Sequence, residues 1–524
     1  MAQIFNDPGV YVVEERKPQA LTPQAPEMPA CMIGPLFQIA DQDQVTGTGT
    51  VLEEETFDLT SNDTITLSYP SLTDTDNPVD TDSVVVELVK RDGRREILPL
   101  TDSNSDAILT ITDTEVTINL GDGGTEEIYA AFKEINNKWL AKNVDYTVPD
   151  PDISGLVGAE IHINYRAARH DLVGRVLLAE GKTDTQIVLG KADDDNPLGL
   201  AGGLATTVAP NIGHYYVPTK DYLTGVGDTI DEATEIGAAL ERIQPKSVHG
   251  VAILSSNELS HQALINHCTA MSIPEEKMYR IAWTYKELPA EEEVMQYRGL
   301  DPATDSISEV ELKQGQADIL HQYGVSISNE RGTVLFNDFS MTIDGEEKKL
   351  PAYYLAAAYA AFKASLPPQQ GLTNYPVPGI ANEVFYQKGY FKPSQLRKIS
   401  DGGIFVVLQD VKDGPVNARA QWTTNMLNNE TKQVSVQYCE DAYSLGFIRT
   451  LDPLIGVNNI TDSVMSTIEE TAIGYNDDKI GSGLIIDGEL LDIRKNATNP
   501  SQVDVEQEIV FPSPLDVIVA KLQF

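Results

Sequence analysis

The chemistry this chain could do is sought first in its clustered ligand-type side chains. Asp193-Asp194-Asp195-Asn196 supplies hard oxygen donors of the kind that hold calcium, but it has neither the EF-hand spacing nor the closing Glu. It reads as a solvated turn. His261 and His267 lie six residues apart with Cys268 adjacent. Helical ligand pairs share a face only at spacings of three or four, so no metal site is expected there. Gly199-Leu200-Ala201-Gly202-Gly203 has no Gly-x-Gly-x-x-Gly pattern and no Lys-Ser/Thr ending to cradle phosphate. No Gly-x-Ser-x-Gly nucleophile elbow occurs. Glu53-Glu54-Glu55 and Glu291-Glu292-Glu293 read as wet faces. No catalytic residue, cofactor or metal is expected.

What remains is the chemistry of the backbone itself. Val10-Tyr11-Val12-Val13 near one end and Leu515 to Phe524 at the other are strand-like runs of β-branched and aromatic residues. A lone strand has unmet N–H and C=O groups, and adding to an exposed sheet edge relieves this. Val10, Tyr11, Val12, Val13, Val517, Ile518, Val519 and Leu522 are therefore the candidate contacts between copies of the chain. The alternative is that both arms pair within their own chain.

The elements that would position those strands are spacers and cores. Pro18, Pro23, Pro26 and Pro29 make the segment after the first strand extended and semi-stiff. At ~3.1 Å per residue, residues 17 to 29 reach roughly 40 Å. Residues 18–150 hold 7 basic and 25 acidic side chains, in short alternating runs such as Val84-Val85-Val86-Glu87-Leu88-Val89 and Val116-Thr117-Ile118-Asn119-Leu120. That pattern predicts an all-β module, interrupted by a helix over about 125–142.

From Asn196 strands and helices alternate: a strand over His214–Val217, a helix over Glu232–Ile243 behind Asp231, a strand over Val248–Leu254, a helix over Glu258–Met271, a strand over Tyr279–Trp283 and a helix over Ala352–Leu366. A parallel or mixed sheet covered by helices follows. The last region is expected to carry strands at Ile404–Leu408, Gln433–Cys439 and Ser444–Thr450, with helices at Ser394–Ile399 and Asp462–Tyr475. Val503–Phe511 and Leu515–Phe524 close the chain.

Length and charge bound the function classes. The 524 residues favour three or four domains, and the net charge of −41 argues against binding phosphates or anionic membranes. Three distant cysteines imply no disulfide framework, which suits a reducing compartment. No secretory signal and no apolar run of spanning length is read in the sequence.

Pro8-Gly9-Val10-Tyr11-Val12-Val13-Glu14 resembles the opening of the contractile tail sheath proteins of bacteriophages and related injection machines. Asp195-Asn196-Pro197-Leu198 with its small-residue helix resembles the start of that family's core domain. Helix Ala352–Leu366 with its Pro-rich turn, and Ile509-Val510-Phe511-Pro512 followed by Leu515–Phe524, are similar to its later landmarks. After Pro367 the chain reads Gln369-Gln370-Gly371 where the family more usually has Asp-x-x-x-Gly.

The resemblance implies an α/β (α+β) core of two discontinuous domains, an inserted, mainly β outer domain and extended terminal strand arms. The expected layout is an N-terminal arm and linker at 1–30, a core at 31–41 plus 191–380, an acidic insertion at 42–190, a C-terminal domain at 381–511 and an arm at 512–524. It also implies hexameric rings stacked around a tail tube protein, contacts with baseplate and neck or tail-terminator proteins, and assembly in the host cytoplasm into a virion tail. Contraction would then drive the tube through the host envelope, with no direct nucleic-acid contact and no membrane insertion. A baseplate or fibre protein binding a receptor through the acidic β module is the runner-up, and a carbohydrate-cleaving enzyme the third reading.

Overall fold

The computed structural model describes residues 17–18, 28–39, 55–58, 64–66, 85–89, 95–97, 109–111, 115–118, 160–164, 166–193, 195–223, 230–336, 339–343, 346–377, 390–409, 416–427 and 432–514. The N-terminal linker contributes a two-residue strand, β1 (Lys17–Pro18), and then β2 (Cys31–Pro35) and β3 (Phe37–Ile39). The described residues between 55 and 164 are all strand: β4 (Glu55–Asp58), β5 (Thr64–Thr66), β6 (Val85–Val89), β7 (Arg95–Ile97), β8 (Leu109–Ile111), β9 (Glu115–Ile118) and β10 (Glu160–Asn164). They form two antiparallel sheets, β4-β10-β6-β7 and β5-β9-β8, as the alternating runs predict. The helix expected over 125–142 lies outside the described residues.

The chain returns through β11 (Arg166–Ala168), which pairs antiparallel with β3, and β12 (Leu177–Glu180), and then forms helices α1 (Gly181–Leu189) and α2 (Pro197–Val208). Next come β13 (Gly213–Thr219), α3 (Glu232–Ile243), β14 (Gly250–Ile253), α4 (Glu258–Met271), β15 (Ile281–Tyr285), α5 (Glu291–Tyr297), α6 (Glu309–Ile327) and β16 (Gly332–Leu335). These build a six-stranded sheet in the order β12-β13-β2-β14-β15-β16, parallel except for the antiparallel edge β12. The sheet thus takes β2 from before the acidic segment and its other strands from after it. Residues 177–189, assigned above to the 42–190 insertion, supply this sheet's edge strand and a helix packed on α2.

The inner strands β2, β14 and β15 are buried on both faces and are accordingly mostly apolar. Cys31, Ile33, Val217, Val251 and Ile253 face α3 and α4, whereas Met32, Tyr216, Ala252 and Trp283 face α2 and α7 (Ala352–Ala364). Asn196, completely buried, fixes the entry to α2. Its Oδ1 accepts from the N–H of Gly199 and of Phe37 at 3.3 and 3.0 Å, and its Nδ2 donates to the carbonyls of Leu189 and Lys191. This β13-β2-β14 order makes a doubly wound sheet, in which ligands bind where the order switches, at the carboxyl ends of β2 and β14. Here that place is filled: a Cβ on Gly34 would stand 2.6 Å from the Leu254 side chain, and the Tyr222 hydroxyl donates to the Leu254 carbonyl.

The later residues add the hairpin β17 (Phe339–Ile343) and β18 (Glu346–Leu350), then, beyond α7, α8 (Pro393–Asp401), β19 (Val406–Gln409), β20 (Val416–Ala420), α9 (Val434–Leu451), α10 (Asp462–Ser482), β21 (Asp487–Lys495) and β22 (Val503–Phe511). One expectation is corrected here. Gln433–Cys439 and Ser444–Thr450, expected as strands, are a single helix, α9. Its β-branched start suggested strand, but Val434, Tyr438 and Ala442, and Cys439, Tyr443, Phe447 and Leu451, recur at helical spacing against the main core. Burial on nearly every side erased the amphipathic signal.

α9 is tied to the core sheet by buried charge. Asp441 is completely buried; its carboxylate accepts from Arg331 Nη1 and from His249 Nε2, each at 2.6 Å. Burial pushes that carboxyl up, but the Arg331 guanidinium and His249 outweigh it and hold it below the usual range. Burial pushes His249 down, so the neutral ring donates its proton to Asp441. Removing one partner of such a pair strands the others without compensation. Asp441→Ala is expected to cost about 3–5 kcal/mol in urea unfolding, whereas replacing Arg331 and Asp441 together with Met and Leu costs clearly less.

Candidate functional site: an open terminal sheet

β21 and β22 form a long antiparallel hairpin, in register from Asp487 opposite Val510 to Lys495 opposite Val503. Asn496 and Asn499 set its turn. Asn496 Oδ1 accepts from the N–H of Thr498 and Asn499, and its Nδ2 donates to Asp504, while Asn499 Oδ1 accepts from Ser501 N–H. The period of two divides the strand faces. Leu490, Val505, Ile509 and Phe511 pack on the main core, and the Phe511 ring meets Tyr443 edge-on. A bulge between Leu490 and Asp492 leaves Leu491 half-exposed. Asn476 of α10 fastens the underside: Tyr443 Oη donates to its Oδ1 at 2.6 Å, and its Nδ2 reaches the Gly488 carbonyl and Gln507 Oε1.

The opposite face is acidic. Glu489 sits directly across from Glu508, and Asp492 from Glu506. Arg494 serves the second pair, bonding Asp492 at 2.5 Å and Glu506 at 3.1 Å. Both acids and the arginine are half-exposed, so these bonds contribute little stability.

Among the described residues the sheet is covered unevenly. Its order is β1-β22-β21, and β1 covers β22 only at Lys17 opposite Val510 and Pro18 opposite Phe511, in parallel. Among the described residues, 503–509 therefore have a strand partner on one side alone. Val10, Tyr11, Val12, Val13, Val517, Ile518, Val519 and Leu522 all lie outside the described residues. The described residues begin four positions after Val13 and end at Pro514, just before the strand-like run Leu515–Phe524 of the second arm. Sequence reasoning named Val503–Phe511 as a strand without recognising an acceptor edge in it; its alternating apolar positions were the available signal.

A second feature was missed altogether. Lys363, the single charge in α7, is completely buried, and its Nζ donates to the carbonyls of Pro367, Pro368 and Gln370 at 3.2, 2.7 and 2.8 Å. It also lies 4.9 Å from the Tyr438 ring centre. This ammonium closes the Pro-rich turn that follows the helix. Burial lowers its pKa to about 7.

The ligand-type residues of the sequence go separate ways. His261 Nε2 donates to the Ser255 carbonyl at 2.7 Å. His267, which burial lowers to about 4, accepts from Arg280. Burial pushes the Cys268 thiol up to about 12. Asp193 pairs with Lys191 at 3.4 Å and Asn196 is the helix cap, while Asp194 lies outside the described residues. Among the described residues no group of three or more His, Cys, Asp or Glu is arranged to hold a metal, and no helix is long and apolar enough to cross a membrane.

No family model matches this chain, and a search of curated proteins gives no match. Solved structures do resemble it. The anti-feeding prophage helical sheath in its contracted state aligns over 67% of this chain and 89% of its own, at 12% identity and a TM-score of 0.49. The sheath of an extracellular contractile injection system, also contracted, covers 67% and 87% at 11% identity and a TM-score of 0.47. The sheath tail protein of Desulfitobacterium hafniense covers 96% and 100% at 9% identity and a TM-score of 0.43. All three are sheath proteins.

Two outcomes follow from this geometry. Like charges directly opposite on a sheet destabilise it, so Glu489→Lys, which faces Glu508, is expected to raise stability by about 0.5–1 kcal/mol, with the gain shrinking in high salt. Lys363 has a lower pKa folded than free: below about 7 both states are protonated and the burial penalty is complete, and above it the folded chain loses the proton first. The folding constant of the wild type relative to Lys363→Met is therefore expected to rise about tenfold per pH unit between pH 7 and 10, and to stay level below 7, in denaturant titrations.

Proposed function

We propose that this chain is a tail sheath subunit that polymerises by exchanging terminal strands, forms stacked rings around a tail tube, and contracts to drive the tube through a host envelope for genome delivery. The single observation that carries this reading is that, among the described residues, the edge at 503–509 is one-sided, while the sequence holds strand-forming runs at Val10–Val13 and Leu515–Phe524. The β1 register supports it further. A strand kept in the register of Lys17 opposite Val510 would bring Val10–Val13 level with 503–506. An edge that matches the chain's own arm equally matches the identical arm of another copy, which is the condition for swapping.

Each added backbone hydrogen bond contributes about 0.5–1.5 kcal/mol net, so a short arm alone binds weakly. Many arms in a ring and between rings act together, because each bound arm raises the effective concentration of the next. The Pro-rich spacer lets subunits shift while the arms stay paired, and the driving free energy lies in packing between subunits, with no nucleotide and no catalytic step.

In this reading the partners are further copies in hexameric rings, the tube protein, and baseplate and neck or tail-terminator proteins. The particle is a virion tail assembled in the host cytoplasm. The acidic β segment faces outward, where its charge keeps particles apart. Residues 385–500, with 11 basic and 15 acidic side chains, suit the contacts between subunits.

Deletion of residues 1–16 or of 515–524 is the test, read by electron microscopy of the purified protein. Full-length protein is expected to form striated tubes and each truncation only short or no polymers. Long tubes from either truncated chain would overturn strand exchange.

A further inference from the structure

A surface of mixed basic and aromatic character lies at the end of α8. Trp422, half-buried, donates through Nε1 to Ser400 Oγ, one turn along α8 from Arg397. Lys432 Nζ stands 5.2 Å from the centre of the Trp422 ring. The Arg397 side chain is 84% exposed, with Asp401 Oδ2 3.8 Å from its Nε. Leu427 is 90% exposed, and its neighbour Met426 lies against Gly403, just past the end of the helix. Tryptophan and arginine are the side chains that most often anchor a protein interface.

The outward face of α10 has the opposite charge. Ala472, Tyr475 and Asn476 pack inward. On the other side helical spacing places Asp462, Glu469, Glu470 and Asp477, all exposed. The one cation of the helix, Lys479, turns inward over the Tyr475 ring, and Lys495 of β21 stands 3.8 Å from Asp462 at the far end. Among the carboxylates stand Ile473 and Ile480, seven residues apart and 44% and 38% exposed, each followed by a glycine. A Cβ at Gly474 or Gly481 would meet nothing within 4 Å among the described residues, so their own packing does not call for glycine. Glycine inside a helix costs stability, and here it leaves two notches open beside two apolar side chains.

We propose that the shelf of Arg397, Trp422, Leu427 and Lys432 on one copy receives the outward face of α10 on a second copy. Glu470 and Asp477 meet Arg397 and Lys432, and the glycine notches let Trp422 and Leu427 approach the helix backbone. The occupant follows from charge: a face with four carboxylates is repelled by most of a chain of net charge −41, and this shelf is a basic surface that the same chain provides. The two surfaces differ, so the contact is heterologous, and its repetition builds a ring or a helix. The contact lies within the sheath reading and rests on its self-assembly alone, not on the arms or the tube.

The test is the concentration at which purified full-length protein begins to assemble, read by light scattering and electron microscopy. Arg397→Glu with Lys432→Glu is expected to raise it about tenfold or more. Glu470→Lys with Asp477→Lys is expected to do the same, although it lowers the net negative charge and by general repulsion alone would favour assembly. All four substitutions together restore the wild-type net charge and re-pair the surfaces. That chain is expected to assemble within about threefold of the wild-type concentration. Gly474→Leu with Gly481→Leu is expected to unfold no more easily than wild type, because leucine is the better helix former, yet to assemble as poorly as the charge reversals. Either reversal that assembles like wild type would overturn the proposal, and so would the glycine variant doing so. A fourfold variant no better than the reversals would overturn it too, since each surface would then have a different partner. Wild-type tubes alongside any of these results would leave the sheath reading standing, whereas wild-type protein that stays as single subunits at every concentration would remove both.

Discussion

Among the described residues, peptide groups along 503–509 have a strand partner on one side only, and a backbone edge in that state is either hydrated or paired. For pairing to be selective, the edge must be offered in one register. The hairpin achieves this from three directions. The Asn496–Asn499 turn fixes where the strands start. The bulge beside Leu490 fixes how they twist. Val505, Ile509 and Phe511 on the core, with Glu506 and Glu508 on the other face, make a one-residue slip costly, because it would bury two carboxylates.

A fixed register is useful only on a fixed body. The hairpin rests on α10 and α9 through Asn476 and Tyr443, α9 rests on the core sheet through Asp441, and α7 lies buried on every residue but Tyr353. These contacts form one continuous path from the six-stranded sheet to the open edge. The same sheet has the topology of many ligand-binding proteins, with Leu254 packed into the switch-point crevice. The fold is a platform, and its function must be argued from the sites it presents.

Much of this was legible in the sequence, for identifiable reasons. α3 begins and ends at the residues expected and α4 lies where it was placed, because Asp231 precedes the first and each buries one face on the sheet. β22 was equally clear, since strands half-covered by a core keep a period of two. α9 was misread because burial on all sides leaves no period, and Val434 and Val436 favour strand locally. Residues 177–189 were assigned to the acidic insertion because nothing in their composition marks a return to the core sheet. The Lys363 cage was invisible for a different reason: it depends on three carbonyls brought round by a turn, which no spacing of side chains encodes. The arms were read from composition and from resemblance, and they lie outside the described residues.

Charge constrains how such a body associates with its own kind. At −41 per chain, copies repel at long range, and at physiological salt that repulsion is felt over only about 8 Å. In the proposed reading contact is therefore made through groups that work at short range and carry no net charge. Peptide hydrogen bonds meet that condition, and so does packing between nearly balanced surfaces. The acidic face of the hairpin lies beside the edge and not along it, so an incoming strand places its own alternate side chains next to Glu506 and Glu508. Neutral or basic residues are favoured there, whereas the segment before Lys17 carries Glu14 and Glu15 beside Arg16. In the proposed reading the backbone supplies the attachment, and the flanking carboxylates oppose it wherever the incoming strand is acidic.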